Sequence, residues 1–263
     1  MTEIEEMLTD LPSDPEPGPV LGAITRALER LGGDPEYLAG MRMAVPDAGE
    51  LYGVKVPVLR KIAGEVVGAY KKDGDALRSI AIESWGRGSR EHQLVALFIL
   101  ASVKLAPAER WEVGVRFLPD VSNWESCDQL CAALLGEALA KDPGYMDVIE
   151  DWVEDENFWV RRASLVAPVY LRRAKYSEQV MFDLDQRTLA ICDARLNDRE
   201  KYIRKAVDWS VREVIKRRYD LGREWLFAQA DSELSRTARS TLKLAAKKLT
   251  EHDQAIFLNS LGG

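Results

Sequence analysis

The sequence predicts an all-α fold, a superhelical solenoid of helix-pair repeats with a concave basic groove. Apolar residues recur with the 3.6-residue helical period through most of the chain, and Pro and Gly fall between these runs, as in residues 142–144. No stretch sustains the alternation of a β-strand. The 263 residues are 46% hydrophobic and 30% charged, which is typical of a globular protein and excludes a wholly disordered chain.

The elements follow from the N-terminus onward. Residues 1–20 are rich in acids and prolines and bury too little apolar surface to order, which predicts a disordered acidic tail, with a short helix over residues 3–9 as the alternative. Residues 21–250 are expected to form a single repeat domain, and residues 251–263 a C-terminal extension. The periodic runs predict helices over Arg90–Leu100, Trp124–Leu139, Ser177–Cys192 and Lys201–Ile215.

Segments of similar sequence recur along the chain, and each has a small Ala near the start of a helix. Counted at the matching Ala, with Leu130 as the equivalent position in one repeat, the steps are 34, 33, 43 and 32 residues. Helix pairs with this period are typical of HEAT or armadillo solenoids, whose second helices line the concave face. The aligned segments are Glu91–Ala96, Phe158–Ala163, Lys201–Ala206 and Leu234–Ala238.

The charge is unevenly distributed. The net charge of −7 combines balances of −8 over residues 1–50, −6 over 51–158 and +9 over 159–250. Bases recur at the starts of the second helices, and such repetition indicates a groove for a polyanion, with an ordinary solvated face as the alternative. These bases are Arg161, Arg162, Arg204, Lys205, Arg236 and Arg239.

Tryptophans stand near ionisable side chains at helical spacing. Trp124 and Asp128 are four residues apart and share one helix face, and Trp159 and Arg162 are three apart. Trp209 comes one turn after the basic start of its helix. An aromatic-lined cleft is one interpretation; core tryptophans with a capping or salt-bridging Asp are the alternative, and for an isolated pair the more common one.

The sequence gives little support for histidine acid–base catalysis, a metal site or a nucleotide-binding loop. Two His cannot supply an acid–base pair or a metal cluster, Cys127 and Cys131 lack metal-site spacing, and no phosphate-binding glycine loop occurs. We therefore expect no metal and no cofactor. Three Cys give no disulfide framework, no run is long enough to span a membrane, and the N-terminus is acidic, so we expect a cytoplasmic protein.

From about residue 25 to residue 248 the sequence resembles the HEAT-like-repeat alkylpurine DNA glycosylases of the AlkD type. The order and separation of the motifs match that family, except for a longer stretch near residues 175–197. The motifs that carry the resemblance are residues 53–61, 83–85, 90–93, 123–128, 157–163 and 203–209.

The resemblance implies excision of cationic N3- or N7-alkylated purines from double-stranded DNA, without flipping the base. Because solenoids with capped ends need no partner, we expect a monomer. The resemblance assigns the catalytic carboxylate to Asp128, the aromatic walls to Trp124 and Trp209, and a backbone contact to Arg162. Two alternatives remain: a non-catalytic HEAT-repeat module that binds protein or nucleic acid, and an inactive DNA binder derived from the glycosylase. The expected DNA-binding residues are Arg161, Arg204, Lys205, Arg212, Arg236 and Arg239.

Overall fold

The computed structural model describes residues 11–230, 232 and 234–261, and these fold into helices joined by turns, with no β-strand among them. The predicted all-α fold is therefore confirmed. The chain divides into two compact units, Met1–Leu134 and Leu135–Gly263, each with its own core. Within the described ranges, no helix combines the length and the apolar character that crossing a membrane requires.

The first unit contains seven α-helices, counted over its described residues. A short 3₁₀ helix, Leu118–Asp120, precedes the last of them, and a π-helical turn, Cys131–Leu135, follows it. The helices are α1 Pro17–Leu31, α2 Pro35–Ala44, α3 Val56–Ala69, α4 Gly74–Gly86, α5 Arg90–Ser102, α6 Pro107–Phe117 and α7 Trp124–Leu130.

The second unit continues the pattern with helices of more varied length. Three 3₁₀ segments extend helices at their C-terminal ends: Trp152–Glu154, Ala167–Arg173 and Ala246–Lys248. The α-helices are α8 Gly136–Leu139, α9 Tyr145–Asp151, α10 Phe158–Val166, α11 Glu178–Arg195, α12 Lys201–Arg217, α13 Tyr219–Ala230, α14 Arg236–Ala245 and α15 Glu251–Leu261.

Helix pairs stack within each unit as the repeat predicted. The second helices α3, α5 and α7 pack in succession in the first unit, and α10, α12 and α14 do so in the second. A small Ala lies near the start of four of these helices. Because its side chain is only a methyl group, the backbones of neighbouring helices can approach closely there. These alanines are fully buried: Ala96, Ala163, Ala206 and Ala238.

The N-caps of the second helices give the repeat its register. In chain order, successive caps are 34, 34, 34, 43 and 35 residues apart. The alignment of alanines gave a last step of 32 residues, so it placed the last repeat three residues out of register. The long step contains the 3₁₀ segment Ala167–Arg173 and the 18-residue helix α11. The caps are Lys55, Ser89, Asn123, Asn157, Glu200 and Ser235.

Part of the predicted N-terminal tail is ordered, and the predicted C-terminal extension contains a helix. Helix α1 begins at Pro17, Val20 is fully buried, and the Pro12 carbonyl oxygen accepts a hydrogen bond from Tyr70 Oη at 2.7 Å, so order begins before residue 20. The helix considered over residues 3–9 lies outside the described residues. The C-terminal extension forms α15, in which Phe257 packs edge-on against Phe227.

Candidate functional site

Helix α7 carries the two candidate groups of the first unit, Trp124 and Asp128. Asn123 caps the helix, since its side-chain oxygen accepts from Ser126 N at 2.9 Å. Trp124 Nε1 donates to the Ala44 carbonyl oxygen at 2.8 Å, which anchors the indole to the end of α2. Both candidate side chains are half-buried, and their i, i+4 spacing keeps them on one helix face.

A buried ion-pair network holds the first turn of α7. Arg90 donates to both carboxylate oxygens of Glu125, from Nε at 2.6 Å and from Nη2 at 3.0 Å. Its Nη1 donates to Glu91 Oε1 at 3.0 Å, and Glu91 accepts from the backbone amides of residues 52, 53 and 54 at 3.0–3.3 Å. The network thus ties α5, α7 and the loop before α3 into one rigid support for Trp124 and Asp128.

The two carboxylates of this network keep the Arg90 guanidinium charged. Burial by itself lowers the pKa of the Arg90 guanidinium, but the hydrogen bond and charge of Glu125, with the charge of Glu91, raise it above its ordinary value. The sequence alone did not predict this network. Its only sequence signal was the presence of Arg90, Glu91 and Glu125 in the matched motifs, because nothing local shows that an acid and a base 35 residues apart meet.

In the second unit, the start of α10 carries Trp159 and Arg162, and both are buried. Trp159 packs between the rings of Phe158 and Tyr202, with centroids 4.4 and 5.2 Å away. Arg162 is only 4% exposed and donates from Nη1 to the Tyr202 carbonyl oxygen, which joins α10 to α12. This burial leaves Arg162 little surface for the phosphate contact expected from the sequence.

Trp209 is the ninth residue of α12 and is half-buried. Its ring meets Tyr170 edge to face, with the centroids 6.3 Å apart and the planes at 75°. Tyr170 belongs to the 3₁₀ segment after α10, so the aromatic contact braces α12 against its neighbouring repeat. The neighbouring aromatics Tyr170 and Tyr202 were not among the sequence candidates.

Three of the predicted DNA-binding arginines donate hydrogen bonds to backbone carbonyl oxygens, two of them in the loop before their own helix and one at the end of α15. Each occupies the fourth position of its helix. Arg161 Nη1 donates to the carbonyl oxygens of residues 155 and 156 at 2.6 and 3.1 Å, and Arg204 Nη1 to those of residues 198 and 199 at 3.3 and 2.5 Å. Arg239 Nη1 donates to the carbonyl oxygen of Leu261 at 3.0 Å. The repeating arginines therefore have a structural use that their spacing did not reveal.

The remaining predicted bases differ in their availability. Arg212 forms a bidentate pair with Asp208, at 2.9 and 2.8 Å. Lys205 and Arg236 are exposed. Lys201, which the sequence analysis did not single out, is also exposed, and its ammonium lies 4.8 Å from the centroid of the Tyr202 ring. Of the predicted DNA-binding bases, the two exposed ones thus lie in the first two turns of α12 and α14.

His92 has a structural role. Its Nδ1 shares a hydrogen bond with Ser89 Oγ at 2.7 Å and its Nε2 with Thr25 Oγ1 at 3.0 Å, and the residue is 2% exposed. Burial, with a smaller contribution from the charge of Arg87, lowers the pKa of His92 to about 4. The imidazole is therefore neutral at pH 7 and occupied on both sides by hydroxyls.

The cysteines at positions 127, 131 and 192 are buried, and none of the three is in a disulfide. Burial raises the pKa of the Cys192 thiol above its ordinary value, so its reactive thiolate form is suppressed. Over residues 11–230, 232 and 234–261, no group of three or more His, Cys, Asp or Glu side chains is arranged to hold a metal ion.

Fold and site together define a class: an all-α protein of stacked helix pairs that presents an indole and a carboxylate side by side on one well-anchored helix. Residues 24–249 match the profile of the family described as "DNA alkylation repair enzyme", and the chain belongs to that family. No curated protein matches the sequence.

A solved structure agrees with this membership. It is titled "Predicted DNA alkylation repair enzyme from Enterococcus faecalis" and has 19% sequence identity to the chain at a TM-score of 0.65. The match covers 85% of this chain and 99% of the other. At this identity the likeness shows a common fold, and the matched region spans both compact units.

Proposed function

We propose that this protein is a DNA glycosylase that hydrolyses the N-glycosidic bond of cationic N3- or N7-alkylated purines in duplex DNA. The observation that carries the proposal is the pairing of Trp124 with Asp128 on one face of α7. A half-buried carboxylate beside an indole, on a helix fixed by the Arg90–Glu125 ion pair, suits a developing positive charge.

The chemistry needs few groups. Alkylation makes the purine cationic, so the base departs as a neutral molecule and requires no proton from an acid. Positive charge then develops on the sugar, as in glycoside hydrolysis. Asp128 stabilises that charge and orients water toward C1′; the C1′–N bond breaks, the C1′–O bond forms, and the water proton passes to solvent.

The aromatic and basic residues have distinct parts in the proposal. An electron-rich indole attracts a cationic base more than a neutral one, which gives Trp124 and Trp209 a role in selecting the lesion. Arg162 acts as a positioning residue, because its burial and its bond to the Tyr202 carbonyl oxygen suit holding α10 to α12 better than gripping a phosphate. His92, neutral and enclosed, takes no part.

The experiment is a base-release assay on duplex DNA that carries a single N7-methylguanine. We expect wild-type protein to release the base and Asp128→Asn to release it on the order of 10²–10³ times more slowly, the usual cost of one well-placed electrostatic group. Asp75→Asn is the matched control, since it removes an exposed carboxylate from the first turn of α4 in the same unit.

Three results would contradict the proposal. Wild-type protein that binds alkylated duplex and releases no base is a DNA-binding relative without catalysis. An Asp128→Asn variant as fast as Asp75→Asn removes the carboxylate from the mechanism. A duplex with the neutral base uracil serves as the substrate control, and its release at a comparable rate would refute selection by positive charge.

A further inference from the structure

Helix α7 does not end in an ordinary α-helical turn. It continues into the π-helical turn Cys131–Leu135, which begins three residues after Asp128. Such turns are rare, and they occur mostly singly within longer helices, frequently at functional sites. A π-helical turn interrupts the regular hydrogen-bond ladder of the helix, so side chains can take part in satisfying its backbone groups.

Arg110, in α6, donates a hydrogen bond into this turn. Its Nη1 donates to the Ala133 carbonyl oxygen at 2.9 Å and to the Leu100 carbonyl oxygen at 3.1 Å. Its Nη2 donates to the Val103 carbonyl oxygen at 2.8 Å. A guanidinium presents its donors in a rigid planar fork, so this one side chain holds three carbonyl oxygens in a fixed arrangement.

Two of these acceptors lie at the C-terminal end of α5, where Val103 is the C-cap. The last four carbonyl groups of an α-helix have no donor within the helix, and this end carries partial negative charge. A guanidinium is therefore favourable there, and Arg110 is half-buried against it. The third bond, to Ala133, connects the end of α5 to the turn that follows α7.

Helices α5 and α7 are thus connected near both ends. At their starts, Arg90 donates to Glu125 at 2.6 and 3.0 Å, and at their ends Arg110 joins α5 to Ala133. Asp128 lies between these two connections, three residues after Glu125 and five before Ala133. Without the second connection, the segment that carries Asp128 would be held by this pair of helices at its start alone.

We propose that Arg110 is a positioning residue for the proposed glycosylase site: by holding Ala133 it fixes the direction in which Asp128 points. The inference rests on the proposed function for the part that this carboxylate takes in base release. Stabilisation of a developing charge requires a preorganised group, and a misplacement of about 1 Å can cost on the order of 10²-fold in rate. Arg110 needs no contact with DNA in this role.

The first measurement is single-turnover base release from duplex DNA that carries N7-methylguanine, at saturating full-length protein, with equilibrium binding of the same duplex. We expect Arg110→Ala to slow base release on the order of 10–10²-fold and to leave the Kd for DNA within about twofold. Arg110→Lys keeps the charge but loses the planar fork, so its rate should lie between those of wild type and Arg110→Ala. Circular dichroism checks that each variant is folded at the assay temperature.

The matched control is Arg78→Ala. It removes an arginine of α4 that also contacts α6, through Glu109 at 3.6 Å and Glu112 at 4.0 Å. These ion pairs involve partly exposed side chains and no backbone group of α7. We expect this variant to release base at the wild-type rate.

A second measurement observes Asp128 without depending on activity. The protein is isotopically labelled at its aspartate carboxyl carbons, and the NMR resonance of Asp128 is assigned by its loss in Asp128→Asn. Because the carboxyl resonance depends on the surroundings of the group, we expect Arg110→Ala to move it and Arg78→Ala to leave it in place.

Three results would overturn the inference: an Asp128 resonance unchanged in Arg110→Ala, a base-release rate equal to that of Arg78→Ala, or a loss confined to DNA affinity. If Arg110→Ala does not fold, the same results are read from Arg110→Lys. The proposed function fails separately. Wild-type protein that releases no base removes the glycosylase activity, while a displaced Asp128 resonance still supports Arg110 as the residue that positions the carboxylate.

Discussion

Replacing Glu125 with glutamine removes one of two carboxylates that surround the buried Arg90 guanidinium. The wild-type carboxylate is almost fully enclosed, at 11% side-chain exposure, and the Arg90 side chain is 2% exposed. Glutamine preserves the shape and one acceptor oxygen, so the substitution tests charge rather than packing. What remains near the guanidinium is Glu91, whose Oε1 lies 3.0 Å from Arg90 Nη1.

The magnitude follows from this geometry. Removing one partner of a buried ion pair costs about 3–5 kcal/mol, because the other charge is left without compensation. Glu91 still compensates part of the Arg90 charge, and the glutamine oxygen keeps one hydrogen bond to the guanidinium. The cost of Glu125→Gln should therefore lie at the lower end of that range. We expect a loss of about 3 kcal/mol, a large part of the total stability of about 5–15 kcal/mol of an ordinary protein.

The assay is urea unfolding followed by circular dichroism, with the free energy of unfolding compared between wild type and variant. Glu112→Gln is the control, since its carboxylate is 76% exposed and meets Arg78 only at 4.0 Å. Surface pairs of this kind contribute at most about 1 kcal/mol. A loss below about 1 kcal/mol for Glu125→Gln, or one equal to the control, would refute the reasoning.

The remaining predictions concern an indole, an imidazole and two glycines. Trp124→Phe, which keeps an aromatic ring but loses the indole donor to the α2 carbonyl, should lower single-turnover base release less than Trp124→Ala does; equal losses would contradict a role for the ring. His92 has a pKa of about 4 when folded against about 6.5 in an unfolded chain, so the unfolded state binds more protons between these values. The free energy of unfolding should then fall by about 3 kcal/mol from pH 6.5 to 4, and His92→Gln should flatten that slope in pH-dependent thermal unfolding. Gly222→Ala should destabilise by about 1–3 kcal/mol, because its Cβ would lie 2.6 Å from Ile215 Cγ1, whereas Gly64→Ala in α3 meets nothing within 4 Å and should stabilise by up to about 1 kcal/mol in urea melts.

Much of the secondary structure was predictable from sequence because caps and apolar spacing are local signals. Three of the predicted helices begin at or within one residue of an observed cap, which is Ser89, Asn123 or Ser177. The last repeat was the exception. An alignment on small alanines placed Ala238 three residues out of register, since an alanine marks a close helix contact but does not mark the start of a helix.

The hydrogen-bond partners of the basic residues could not be predicted from the sequence. Arg161 and Arg204 stand at the position that the charge pattern assigned to DNA, and each instead donates to carbonyl oxygens of the loop before its helix. Those acceptors are created when the loop closes. A guanidinium that meets a backbone carbonyl and one that meets solvent have the same sequence pattern.

By itself, the sequence determined an all-α chain of helix pairs with a repeat near 34 residues, the basic second half, and the pairing of Trp124 with Asp128 on one helix face. These depend on periodicity and composition, which are properties of neighbouring residues. The tertiary structure alone decided that Arg90 and Glu125 form a buried pair and that Arg162 is enclosed. Such contacts join residues about 35 or more positions apart, and only the packing of one repeat on the next brings them together.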